Sequence, residues 1–280
     1  MAAMSAKPDL GKFASFGMGI TPDDATAIEA LGYGAVWVAG SPPAELDWVD
    51  PALAATSRLK LATGIVNIWT ARPEAVADSF HRIENAYPGR FLLGLGVGHP
   101  EADAQFAKPL AALNTYLDVL DQHNVPRERR VLAALGPQVL QLSAQRSAGA
   151  HPVLVTPEHT AEARRIIGPD AFLAPAVPVV PTTDVEQARA VGRKTLELYL
   201  GLRNYLNNWK RLGFTDSDIT RPGSDRLVDS VIVYGTPETI ASRLNEHLEA
   251  GADHVPIQLL TSPAKVVGTL AELAGPLGLS

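Results

Sequence analysis

The sequence predicts an α/β protein, a single (β/α)8 barrel over residues 1–280. Three observations carry that prediction. Eight short apolar runs rich in β-forming residues recur along the chain, and polar stretches with helical period lie between them. A chain of 280 residues that is 46% hydrophobic can bury one large core. No Ser- or Gly-rich linker divides it.

The first run, "KFASFGM" (12–18), leads into "TPDDATAIEALGYG". There Thr21 is the expected N-cap, Pro22 takes the first helical position, two aspartates fill the first turn and Gly32 is the stop. Strands two to four follow as "AVWV" (35–38), "KLATGIV" (60–66) and "FLLGLGV" (91–97). "VLAAL" (131–135), "PVLVT" (152–156) and "FLAPAVPVV" (172–180) give the next three. Residues 184–214 have helical period but carry Gly192 and Gly201, which predicts one or two helices inserted after strand seven, over the barrel mouth. In "GTPETIASRLNEHLEAGADHV" the Thr-Pro start recurs, with Ile240, Leu244 and Leu248 on one face, and "HVPIQLL" (254–260) is strand eight. A doubly wound open sheet is the alternative; it would want a phosphate loop early in the chain, and none is there.

Composition narrows the function. The net charge of −6, with "RERR" (127–130) as the longest basic run, argues against a nucleic-acid surface and for a small-molecule partner. With no cysteine, redox chemistry requires a bound organic cofactor. The N-terminus lacks a secretory apolar core and no stretch is long enough for a membrane span, so a soluble cytoplasmic protein is expected. "GLGVG" has the wrong spacing for a dinucleotide fingerprint, and neither a nucleophile elbow, a zinc-protease helix motif nor a phosphate loop occurs. No metal site is expected, because His99 is nearly alone among strand-end ligands.

"FLLGLGVGHP" (91–100) places Gly94, Gly96 and Gly98 on one strand face and ends at His99. Glycine inside a strand marks a bulge, a corner or the close approach of another group. An apolar, glycine-rich mouth with few charges suits a flat aromatic cofactor.

"LKLATGIVNIW" with "RPEAVADSFHRIENAYPGRFLLGLGVGHP", and the closing "YGTPETIASRLNEHLEAGADHVPIQ", resemble the bacterial-luciferase-like flavin and deazaflavin oxidoreductases over most of the chain. The resemblance implies a non-prolyl cis peptide at Gly64 to Ile65 supporting the cofactor ring, with Gly96, Gly98 and His99 lining the ring pocket. It implies that the turn Thr156, Pro157, Glu158, His159 and Thr160 holds the cofactor phosphate on helix N-terminal amides, with Gly149 and Ala150 just upstream. Asn67 and Trp69 are placed to contact the ring or substrate, Trp69 being equally well read as a hydrophobic plug. Arg72 could reach an acidic substrate or the cofactor tail, or be an exposed arginine without a role.

The implied activity is hydride transfer between coenzyme F420, an 8-hydroxy-5-deazaflavin, and a small organic substrate, with His99 as the catalytic acid or base. An FMN-dependent monooxygenase and a non-catalytic ligand-binding barrel are the alternatives; family members are often homodimers. Two departures stand out. "VAGSPP" (38–43) follows strand two where many deazaflavin members have an Asp-His or similar pair, and His99 stands where a glutamate would close strand four. Elsewhere, His81 reads as a helix-surface residue, His151 as structural, and Arg203, Tyr205 and Trp209 as an aromatic stripe, a lid or a dimer contact.

Overall fold

A computed structural model describes residues 7–98 and 109–279. In chain order it contains β1 (Phe13–Gly17), α1 (Pro22–Ala30), β2 (Ala35–Val38), α2 (Val49–Ala54), β3 (Lys60–Thr63), β4 (Val66–Asn67), α3 (Pro73–Ala86), β5 (Phe91–Gly96) and α4 (Pro109–Gln122). There follow β6 (Arg130–Leu132), α5 (Pro137–Arg146), β7 (Gly149–Ala150), α6 (Pro157–Ile167), β8 (Phe172–Leu173) and β9 (Val177–Val180). Next come α7 (Val185–Tyr199), α8 (Arg203–Arg211), α9 (Asp216–Ile219), α10 (Asp225–Val231), β10 (Val233–Tyr234), α11 (Pro237–Glu249), β11 (Val255–Leu259) and α12 (Val266–Ala274).

Every strand pairing is parallel, and the sheet runs β10-β9-β11-β1-β2-β3-β5-β6-β7-β8 with β4 also on β5. Parallel pairing with helices between strands is the βαβ pattern expected from the sequence. The curl of this sheet follows from one stretch of chain: β8 bonds to β7, and β9, three residues later, bonds to β11.

Alternation along the strands separates two apolar layers. Ala35 and Trp37 of β2 pack inward with Ala14, Phe16, Ala62, Leu92 and Phe172, whereas Val36 and Val38 pack outward with the helices. The inner layer is small residues around a few large rings, so the interior is filled. Trp37 is fully buried, and its indole N–H donates to His254 Nε2 at 3.0 Å while His254 Nδ1 bonds Gly11 O at 2.7 Å. Both nitrogens of that imidazole are therefore committed, in the Nδ1–H tautomer.

Strand six differs from its sequence expectation. The ladder uses Gly149–Ala150, and residues 152–156 carry only an isolated bridge at Val153. Pro152 has no N–H to donate, Leu154 has φ +56°, and Thr156 turns into the N-cap of α6, so the β-branched "PVLVT" runs as an exit loop. Between β9 and β10 the chain forms four helices. The break between α7 and α8 falls at Leu200–Leu202, around Gly201, while Gly192 lies inside α7, where its missing side chain admits Val228. Tyr205 and Trp209 of α8 are buried in a second apolar cluster with Leu154 and Val180, and the Trp209 indole N–H donates to Leu154 O at 3.3 Å.

Candidate active site

The C-terminal strand ends bring part of the expected site together. Ala62 pairs with Leu92 and Val66 with Leu95, so four residue steps on one side face three on the other. That extra residue makes a bulge at Thr63 to Ile65, and the Gly64-Ile65 peptide within it is cis. The Thr63 hydroxyl fills the broken ladder, accepting from Gly94 N at 2.7 Å and donating to Gly94 O at 2.8 Å. A side chain on Gly94 would run into the Thr63 carbonyl, which explains that glycine as a close backbone approach.

The next two glycines differ in what they admit. A Cβ on Gly96 would lie 2.9 Å from the Ile65 side chain, so the bulge residue sits in the space that Gly96 leaves. Gly98 has φ +59°, and a Cβ there would be 2.9 Å from Asn67 Nδ2. At Gly64 itself a Cβ would come within 2.5 Å of Phe16 Cε2 and 3.3 Å of His151 Nε2. Gly64, Ile65 and Gly98 are partly exposed, and together these residues form a close-packed cradle in which each glycine lets a neighbouring group approach its backbone.

His151, which follows β7 directly and which the sequence reads as structural, borders the same bulge. Its ring is 1% exposed and stacks on Trp37 with centroids 4.2 Å apart and planes 17° apart. Nδ1 bonds Ala174 O at 2.8 Å, whereas Nε2 is buried without a partner. Burial lowers its pKa to about 4, so the ring is neutral at pH 7. Placing strand six at 152–156 put this residue ahead of the strand, where a ligand contact is not expected.

The remaining expected residues lie around the cradle in other roles. Asn67 Oδ1 accepts from Trp69 N at 3.0 Å, and the Trp69 indole N–H donates to Val97 O at 2.7 Å, tying the β4 exit to the end of β5. Trp69 also lines a cavity of about 260 Å³ with Pro73, Ala112 and Tyr116, on the α3 and α4 side. Arg72 is 83% exposed and pairs with Glu74 at 3.6 Å. His99 lies outside the described residues. His81 is partly buried and bonds His123 O at 2.7 Å, joining α3 to the end of α4.

The Thr156 to Thr160 turn is filled by the chain's own groups. Thr156 caps α6 by accepting from His159 N, and Pro157 has no N–H. The Glu158 carboxylate is held below its ordinary pKa by the Thr156 hydroxyl and its own backbone N–H. Thr160 N bonds Thr156 O, and the Thr160 hydroxyl bonds His247 Nδ1 at 2.8 Å. Inside the turn His159 is buried, its Nε2 bonding Leu135 O at 2.9 Å and its Nδ1 unpartnered. Gly149 and Ala150 serve as β7, and at Gly149 a side chain would strike Phe172 backbone.

Among the described residues no group of three His, Asp or Glu side chains could hold a metal ion, and no helix is long and apolar enough to cross a membrane.

Several known proteins share this fold. An F420-dependent secondary alcohol dehydrogenase in complex with an F420-acetone adduct superposes with a TM-score of 0.72 at 14% identity, covering 95% of this chain and 98% of its own. The coenzyme F420-dependent tetrahydromethanopterin reductase of Methanopyrus kandleri gives 0.66 at 16%, covering 94% and 97%. The FMN-bound oxygenating constituent of 3,6-diketocamphane monooxygenase from Pseudomonas putida gives 0.65 at 14%, covering 95% and 98%. These likenesses establish the fold. In sequence, 72 residues are 32% identical to a protein of Mycobacterium tuberculosis assigned as a coenzyme F420-dependent oxidoreductase, a match spanning 24% of this chain and about a fifth (21%) of the relative. The luciferase-like monooxygenase pattern matches residues 21–254. A bulged third strand, glycines opposite it and a family match across most of the chain lead to one conclusion: this chain belongs to the luciferase-like monooxygenase family.

Proposed function

We propose that the chain is a closed (β/α)8 barrel that binds coenzyme F420 against the cradle and supports hydride transfer with a small organic substrate. The observation that carries the reading is the cradle: a partly exposed bulge where Gly64 and Gly98 add no side chains and where His151 Nε2 is buried without a partner. A flat ring needs close approach to backbone and few, placed polar contacts, and the cradle offers both. Gly64, Ile65, Gly96, Asn67 and Gly98 would hold the ring. A deazaflavin bound there supplies a carbon that gives or takes hydride.

The chain's own residues position the ring and shield it. Ile65, seated over Gly96, sets the height of the cradle, and Phe16 bounds the side toward β1. Met18, 79% exposed at the end of β1 and against Gly40, gives the mouth an apolar lip that disfavours water. His99 is assigned the proton at the substrate, on its place directly after Gly98. His99→Ala is expected to leave cofactor affinity intact and to abolish most turnover; unchanged turnover removes the assignment.

FMN is the second reading, supported by the likeness to the FMN-bound Pseudomonas putida protein. Parallel fluorescence titrations with oxidised F420 and with FMN separate the two. Saturable binding of F420 alone supports the deazaflavin reading, FMN alone replaces it, and binding of neither overturns cofactor-dependent chemistry at this site.

A further inference from the structure

We propose that His151 is the cradle's hydrogen-bond acceptor, its Nε2 receiving a ring N–H of the bound heteroaromatic cofactor. The inference deepens the reading above and rests on it. Three observations support it independently of one another.

The first is tautomer. Nδ1 is committed to the Ala174 carbonyl, so it carries the proton and Nε2 presents a lone pair. The second is fixation. The ring is sandwiched against Trp37, whose own N–H is held by His254, which is held in turn by Gly11 O. An imidazole so fixed cannot rotate to find another donor. The third is direction. Nε2 lies 3.3 Å from where a Gly64 Cβ would stand, and Gly64 is partly exposed on the open side of the bulge. Nε2 is itself buried, and glycine is the residue that places no side chain between it and the partly exposed backbone at position 64.

His254 spends both nitrogens within the fold, whereas His151 spends one. An unpaired buried acceptor is destabilising, and buried polar groups in native proteins are nearly all paired. A ligand N–H at the cradle supplies the missing partner.

The test uses the full chain labelled with 15N-histidine and titrated with F420 and, separately, with FMN. Saturation should move the His151 Nε2 resonance towards that of a hydrogen-bonded acceptor and leave His254 in place. In parallel, His151→Phe, which keeps the stacking ring and removes the acceptor, should weaken binding about tenfold. Saturation with an unmoved Nε2, or unchanged affinity in a folded His151→Phe, overturns this inference alone. Should His151→Phe fail to fold, the resonance of the unmodified protein decides. If neither cofactor binds the unmodified protein, the proposed function falls and this inference with it.

Discussion

Two regions that the family resemblance joins into one cofactor site, the cradle at the ends of β3, β5 and β7 and the N-terminal turn of α6, differ in what they leave unspent. At the cradle, Gly64 and Gly98 are partly exposed and His151 Nε2 is unpaired. At the α6 turn His159 Nδ1 is unpaired too, but the backbone donors are spent: Thr156 accepts from His159 N, Glu158 folds back on its own amide, and Thr160 N bonds Thr156 O. The turn matches the start of α11, where Thr236 caps Thr239 N and the pKa of Glu238 is lowered by its own amide and Thr236. Thr-Pro-Glu is thus a self-sufficient cap wherever it occurs in this chain. A helix N-terminus invites an anion only where its donors are free.

Both regions contain neutral buried imidazoles, and acid should strike them together. Burial lowers the pKa of His151, His247 and His254 to about 4 each. Unfolded histidine titrates near 6.5, so between about pH 6.5 and 4 the unfolded chain binds more protons than the folded one. Stability is full above about pH 6.5, falls as pH drops, and has lost about 3 kcal/mol per histidine once pH is below about 4. Urea midpoints at pH 7.5, 5.5 and 4.5 should fall in that order, and cofactor should offset only the His151 share. A flat profile would show that these rings titrate in the fold as they do in the unfolded chain.

Gly64→Ala attacks the cradle alone. The added methyl meets Phe16 Cε2 at 2.5 Å and covers His151 Nε2, so cofactor affinity should fall tenfold or more, with about 1–3 kcal/mol of overpacking strain. Gly19→Ala, with nothing within 4 Å of the new methyl, is the matched control and should bind as before. Equal affinities in the two variants would remove Gly64 from the site.

The twin caps sharpen the other half of the comparison. Thr156→Ala and Thr236→Ala should each cost about 1 kcal/mol, a fall in Tm of roughly 2–4 °C, and leave cofactor binding unchanged. A selective loss of binding in Thr156→Ala would restore the α6 turn as the phosphate anchor.

Alternation and helix punctuation were enough to read most of the strand and helix order, because inward Ala35 and Trp37 and the caps Thr21 and Thr236 are local signals, while the two-residue β10 and the short α9 and α10 before it were not among the predicted elements. Two features were not legible, and a third was legible only through the family resemblance. That third is the bulge at Thr63 to Ile65 with its cis peptide: it is a mismatch between two strands that neither shows alone, and the resemblance placed it at Gly64 to Ile65. Strand six was displaced because β-branched residues resemble a strand even where Pro152 and the positive φ of Leu154 exclude one, and that displacement hid His151. The spent donors of the α6 turn were hidden for the opposite reason: Thr-Pro-Glu was legible as a cap at 236–238, yet at 156–158 the resemblance took precedence over the identical local chemistry.

The smallest expected effect is the most discriminating for the cofactor tail. Glu158 is exposed, and its carboxylate occupies the one amide of the α6 turn that neither Pro157 nor Thr156 removes from use. A phosphate approaching that turn meets a like charge already seated on the helix dipole. Glu158→Gln removes the charge while keeping the size of the side chain, and a charge at a helix N-terminus is worth about 0.3–1 kcal/mol. Affinity for a phosphate-bearing cofactor should therefore rise about two- to fivefold, with the gain shrinking as salt is raised. Glu238→Gln, the same change in the same cap on α11, should leave affinity alone. If both variants bind as the unmodified chain does, the phosphate is held away from α6, and the likeness of the two caps extends to their function.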